Sequence, residues 1–142
     1  MVDYTSDAGF EPANFTPGFL DHSGPYMLKK LAEGRTLVGL RLDEQHRNYR
    51  EAAHGGVLAT MADVALSYQA YASEDPPVPV VTSSMTVNYL SPAIIGHWIV
   101  ANAAIDRIGG RQAHVSGKIY DGETILMTMS GVFTLMRPKP VA

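Results

Sequence analysis

The chain contains no cysteine. That excludes a disulfide framework, a zinc site built on thiolates and a cysteine nucleophile. Positive charge is scarce too: no basic run exceeds Lys29-Lys30, and the formal net charge over 142 residues is -3 at pH 7. Neither nucleic acid nor an anionic membrane surface has an electrostatic footprint here, so a small molecule is the expected partner. Long apolar runs are missing, and none approaches the roughly 20 residues that span a bilayer. The first twenty residues carry three acidic side chains and no basic one, which excludes the positive n-region of a secretory signal and leads to a cytoplasmic reading. No HExxH spacing and no G-x-S-x-G occurs, and His22, His46, His54, His97 and His114 are scattered. The sequence therefore offers no metal site and no serine-hydrolase elbow, and asks for no cofactor.

What remains is an ordinary globular composition, 46% apolar and 18% charged, in a chain long enough to bury one core. Residues 1–18, punctuated by Pro12 and Pro17, read as a loosely ordered N-terminal arm, and residues 19–142 as a single domain. "YMLKKLAEG" reads as a short helix stopped by Gly34, and "RTLVGLRLDEQ" as a first strand. From Gly55 to Ala72 there is no proline and no glycine after Gly56, so a helix of roughly 27 Å is expected. It is apolar nearly all round, which marks a helix buried on most sides. "SEDPPVP" ends it. The remainder reads as long strands, "VVTSSMTVNYL", "HWIVANAAIDRI", "QAHVSGKIY" and "TILMTMSGVFTLM", with turns at Gly109-Gly110 and Asp121-Gly122. One long, twisted antiparallel sheet buries one such helix by curling around it.

Asp63 is the sole formal charge in "HGGVLATMADVALSYQA". The residues one turn away, Ala59, Thr60, Leu66 and Ser67, include no cation to pair with it. A mid-helix Asp can simply face solvent, or meet a distant Arg or Lys; a carboxylate in a cleft is instead a candidate for chemistry. Gly55 and Gly56 stand at the helix N-terminus, where amides lack intrahelical acceptors and the macrodipole is positive. That end either makes a tight turn or holds a carbonyl oxygen as it gains negative charge. His54 reads as a neighbour of the N-cap, a donor to the loop or a general base. Eight residues separate Gly55 from Asp63, roughly 12 Å along the helix. One reacting group cannot touch both within one chain, but two antiparallel copies of the helix in a twofold dimer form two shared sites.

"HGGVLATMAD", with Asn48 six positions before it and "VVTSSMTVNYLSPAIIG" after it, resembles the hotdog-fold acyl-CoA thioesterases of the PaaI-like (phenylacetic acid pathway) type. The resemblance runs from about Gly24 to Met136. It implies an α+β hotdog fold, a long helix wrapped by a curved, mainly antiparallel sheet, in a homodimer paired again into a homotetramer. It also implies hydrolysis of acyl-CoA to a carboxylic acid and free CoA. The Gly55 amide would polarise the thioester carbonyl, with Gly56 and His54 beside it on the substrate. Asp63 of the facing subunit would attack the carbonyl or activate water, Asn48 would orient substrate or water, and Thr82 would hold the nucleophilic water. One departure stands out, Glu51 where relatives often carry glycine, which bears on the loop placing Asn48 and supplies a rival carboxylate.

For the phosphates of CoA, Arg111 beside the Gly109-Gly110 turn is the first candidate, ahead of Arg107, Lys118, Arg137 and Lys139. Leu58, Met61 and Tyr68 are candidates for the acyl pocket and equally for the core. Two other readings of the fold stay open. One is a non-catalytic acyl-CoA binder, and the other an enoyl or hydroxyacyl thioester hydratase or dehydratase.

Overall fold

The computed structural model describes residues 2–138. A seven-stranded sheet in the order β1-β2-β3-β5-β6-β7-β4 wraps one long helix. The strands are β1 (Glu11–Pro12), β2 (Tyr26–Lys30), β3 (Thr36–Arg41), β4 (Val80–Tyr89), β5 (Trp98–Ile108), β6 (Gln112–Asp121) and β7 (Thr124–Leu135); the helices are α1 (Phe19–Ser23) and α2 (Gly55–Tyr71). Every neighbouring pair is antiparallel. This is the hotdog arrangement, with α2 in the concave face of the sheet. Among the described residues no helix is long and apolar enough to cross a membrane.

α2 matches its expected span and buries Leu58, Met61, Ala62, Leu66 and Ala70 against the strands. Each large apolar side chain buried this way stabilises the fold by about 1.5–3 kcal/mol relative to exposure. Gln69 is buried as well, and its amide is satisfied in both directions by the Thr36 backbone: Nε2 donates to the carbonyl at 2.7 Å and Oε1 accepts the amide proton at 3.4 Å. One stripe of α2, Gly56, Thr60, Asp63, Ser67 and Tyr71, is partly or fully exposed. Leu58 and Met61 point into the core and leave the acyl-pocket candidates to Tyr68.

The expected helix at "YMLKKLAEG" is a strand. Its residues favour helix locally, but the run alternates: Tyr26 and Leu28 join the core beneath α2, while Met27 packs on the opposite face. Five residues of β2 pair with β3, and that ladder outweighs a helix propensity of tenths of a kcal/mol per residue. Gly34 serves the turn between them at φ 108, a conformation that favours glycine. The β6–β7 turn also differs by one position. Asp121 pairs with Thr124, so the two-residue loop is Gly122-Glu123, with Gly122 at φ 57 in its first position as a type II′ turn requires.

The N-terminal segment passes around the β2 edge of the sheet. On the convex face Phe10 packs edge-on against Trp98, and Tyr4 stacks on Tyr120 with ring centroids 4.0 Å apart. Glu11 and Pro12 then pair with Leu28 and Met27. Beyond them Ala13, Phe15 and Leu20 pack on the helix side. The same short segment therefore covers a convex patch and walls the concave side.

Candidate active site

The turn that delivers α2 is built from two histidines. His46 is buried: its Nδ1 accepts the Asp43 amide at 2.9 Å, and its Nε2 lies 2.8 and 3.0 Å from the carbonyls of Ser23 and Gly24. Its own carbonyl accepts the His54 amide at 2.7 Å. His54 is the N-cap of α2, with φ -59 and ψ 138, and its Nδ1 accepts the Gly56 amide at 2.9 Å. The Val57 amide goes to the His54 carbonyl at 2.9 Å. Two of the amides orphaned at a helix start are thus satisfied. The Gly55 amide, which precedes them, has no acceptor among the described residues. His54 thereby acquires a definite place, as the cap that holds the peptide groups around this N–H.

Asp63 lies half-buried, about two turns from Gly55 along α2, and the Thr82 hydroxyl donates to its Oδ1 at 2.6 Å. No basic side chain pairs with it among the described residues, and its Oδ2 has no partner there. Both residues line an open groove of about 1280 Å³ that runs between α2, β4 and the N-terminal segment, with Phe15, Phe19, Ser67 and Tyr68 among its walls. The mid-helix charge meets no cation among the described residues; it edges an open groove and is held by a hydroxyl.

Strand β4 reaches α2 twice because it carries a bulge. Its pairing with β7 shifts between Thr82 and Ser84. Before the bulge, even positions face α2, as Val80 and Thr82 do; after it, Met85, Val87 and Tyr89 do. A regular strand with its period of two would send Thr82 and Tyr89 to opposite faces. With the extra residue, Thr82 meets Asp63 and the Tyr89 hydroxyl donates to the Gly55 carbonyl at 2.7 Å. Tyr89 lies within "VVTSSMTVNYLSPAIIG", but nothing local in the sequence assigns it this contact.

Asn48 sits in the loop that folds back before α2. Its amide donates to the Ala52 carbonyl at 2.8 Å, and its Oδ1 accepts the Arg50 amide at 2.6 Å. The side-chain carbonyl thus shapes the loop, leaving the Nδ2 donors without a partner among the described residues. Glu51 is compatible with this geometry, since every positive φ among the described residues belongs to glycine. Its carboxylate is exposed and lies 3.0 Å from Arg47 Nη1. Arg47 also chelates Glu44 at 2.6 and 3.0 Å, holding that carboxyl below the usual range. Glu51 is an ion-pair partner on the surface and does not line the groove.

The cation candidates separate. Arg137 is committed to Glu74 at 2.6 and 2.8 Å and to the Gly110 carbonyl at 2.9 Å, as a clamp on the chain end. Arg111, Arg107 and Lys118 are exposed, and none pairs with an acidic side chain among the described residues. Arg111 stands in the β5–β6 turn beside Leu135, at the opposite end of the sheet from the Tyr89–Met127 pairing. Lys139 lies outside the described residues.

Comparison with known proteins gives these features a common frame. The thioesterase superfamily profile matches residues 51–128, the span from Glu51 through α2 into β7. A Pseudomonas aeruginosa protein that carries a provisional esterase name is 37% identical over 127 residues, 89% of this chain and 95% of that one. Mouse acyl-coenzyme A thioesterase 13 is 33% identical over 100 residues, 70% of this chain and 71% of that protein. Among solved structures, a Bacillus halodurans protein crystallised with CoA superposes with a TM-score of 0.71 at 27% identity, covering 79% of this chain and 74% of that one. The match to the profile across the helix and the bulged strand, together with these relatives, shows that the chain belongs to the thioesterase superfamily, among its PaaI-like hotdog members.

Proposed function

We propose that the protein hydrolyses acyl-CoA thioesters, at a site assembled from two copies of the chain. The observation that carries this reading is the pair of half-sites on one helix: an amide without an acceptor at Gly55, and a hydroxyl-held carboxylate at Asp63 beside an open groove. Hydrolysis needs both, a donor for the oxyanion and a base for water. They lie eight residues and roughly 12 Å apart along one helix, so the Gly55 of one copy serves the Asp63 of the other. Three features support a second copy: the partly exposed stripe of α2, the long edge strand β4, and exposed Val81 and Leu90 on and beside it. An unpaired edge with apolar side chains is a template for association.

In this reading Asp63 takes a proton from water held with Thr82. The water oxygen adds to the thioester carbon, and the carbonyl oxygen becomes an oxyanion facing the Gly55 amide and the positive end of α2. Collapse breaks the carbon–sulfur bond. The proton on Asp63 passes to the departing sulfur, giving free CoA and the carboxylic acid. The Asn48 Nδ2 donors orient the carbonyl or the water, and Gly56 keeps the approach beside the donor open. Arg111, from the far end of an antiparallel partner, meets the CoA phosphates. The acyl group lies in the groove between Tyr68 and the wall formed by Phe15 and Phe19. CoA as the carrier is supported by the relatives named acyl-coenzyme A thioesterases and by the CoA-bound neighbour. The cytoplasm is the compartment this reading assigns, and pairing of dimers into a homotetramer adds no group to the site.

The test is release of free thiol from a panel of acyl-CoAs by the purified protein. Release supports hydrolysis. Tight binding without release points to an acyl-CoA binder, and a hydrated product without release to a hydratase; either outcome overturns the proposal.

A further inference from the structure

A glycine amide is a flexible donor, because glycine restricts neither of its backbone torsions. An oxyanion donor acts by being already in place when charge develops. If Gly55 does this work, both peptide groups that meet at its Cα must be held from outside. The upstream one, which bears the donor N–H, is held by its His54 carbonyl, which accepts the Val57 amide. The downstream one joins the Gly55 carbonyl to the Gly56 amide; that amide donates to His54 Nδ1, and the carbonyl accepts the Tyr89 hydroxyl at 2.7 Å. The ring also lies over the same Cα: a Cβ built on Gly55 would stand 3.4 Å from Tyr89 Cζ and from its hydroxyl oxygen.

Nothing in the core requires Tyr89. Its side chain is half exposed, at 51%, and among the described residues its hydroxyl has no other partner. It ends β4 opposite Met127, and the bulge upstream turns it toward α2.

We propose that Tyr89 is a positioning residue: it pins the Gly55 carbonyl and so, with His54, keeps the neighbouring N–H aimed at the thioester oxygen. This rests on the reading of Gly55 as the oxyanion donor. The ring of Tyr89 would still cover Gly55 after loss of the hydroxyl, so Tyr89→Phe removes the pin and little else.

The test combines a kinetic and a dynamic readout on the full-length protein. Tyr89→Phe should lower kcat about tenfold with KM and Tm close to wild type. The backbone order parameter of Gly55, measured by nitrogen relaxation in the unliganded protein, should fall from the rigid range near about 0.85. An unchanged order parameter, or an unchanged kcat, overturns the positioning role. So does a loss of kcat that only tracks a loss of Tm. If the wild-type protein releases no thiol from any acyl-CoA, the hydrolase reading fails by itself, and the order parameter still decides whether Tyr89 holds Gly55.

Discussion

The two halves of the candidate site are held in opposite ways. At the start of α2 the proposed working group is a backbone amide, and the peptide groups on either side of the Gly55 Cα are pinned by His54 and Tyr89. At Asp63 it is a side chain at the edge of an open groove, with Thr82 as its one hydrogen-bond partner among the described residues. A donor gains from immobility, because it must meet charge without reorganising. A base must accept a proton and return it, and one fixed oxygen is enough to aim the other. The comparison teaches that the glycine end depends on its neighbours, whereas the acid end depends on its own chemistry.

Substitutions can break this contrast in graded steps. Asp63→Asn removes the base and keeps the shape. It should lower kcat by at least about 100-fold while Tm and oligomeric state hold, as thiol-release kinetics and calorimetry would show; an active variant would remove Asp63 from the chemistry. Thr82→Val keeps the β-branched form and deletes the hydrogen bond to the carboxylate. A hydrogen bond to a charged group is worth about 1.5–3 kcal/mol, of which water in the open groove restores part, so kcat should fall about tenfold, less than the Asp63→Asn loss.

The smallest effect lies outside the groove, at the Arg137–Glu74 clamp. Arg137 holds the Glu74 carboxyl below the usual carboxylate range. Because the folded-state value is the lower one, the clamp stabilises the fold at neutral pH, and that contribution is lost as pH falls through the folded value. Glu74→Gln should therefore lower Tm slightly at pH 7, with the difference closing in acid. The pair is exposed enough for solvent to screen it, and hydrolysis should not change.

Much of this was legible in the residues. The apolar run of α2, the four long strands after it and the lone charge at Asp63 follow from periodicity and from what a buried helix excludes. The short segments were harder. Tyr26–Lys30 carries helix-forming residues, and only its pairing with β3 decides for strand. Tyr89 could not be read because its contact with Gly55 spans 34 positions and depends on a bulge, and a bulge is one extra residue that leaves no mark in "TSSMT". His46 was one of several scattered histidines; its burial against the carbonyls before β2 is a matter of tertiary packing. Glu51 looked like a disturbance in the loop until Arg47 accounted for it.

The shared site is the central claim, and mixed dimers test it most directly. Gly55→Pro deletes the one amide in question. Proline suits the first helical position, and the preceding His54 already has the extended torsions, φ -59 and ψ 138, that a following proline demands. Each variant alone, Gly55→Pro or Asp63→Asn, should be nearly inactive. When the two are co-unfolded and reassembled in equal amounts, half of the dimers are mixed, and each mixed dimer carries one intact site. About a quarter of wild-type activity should return. If the mixture stays as inactive as its components, the amide and the carboxylate do not come from different copies, and the account is wrong.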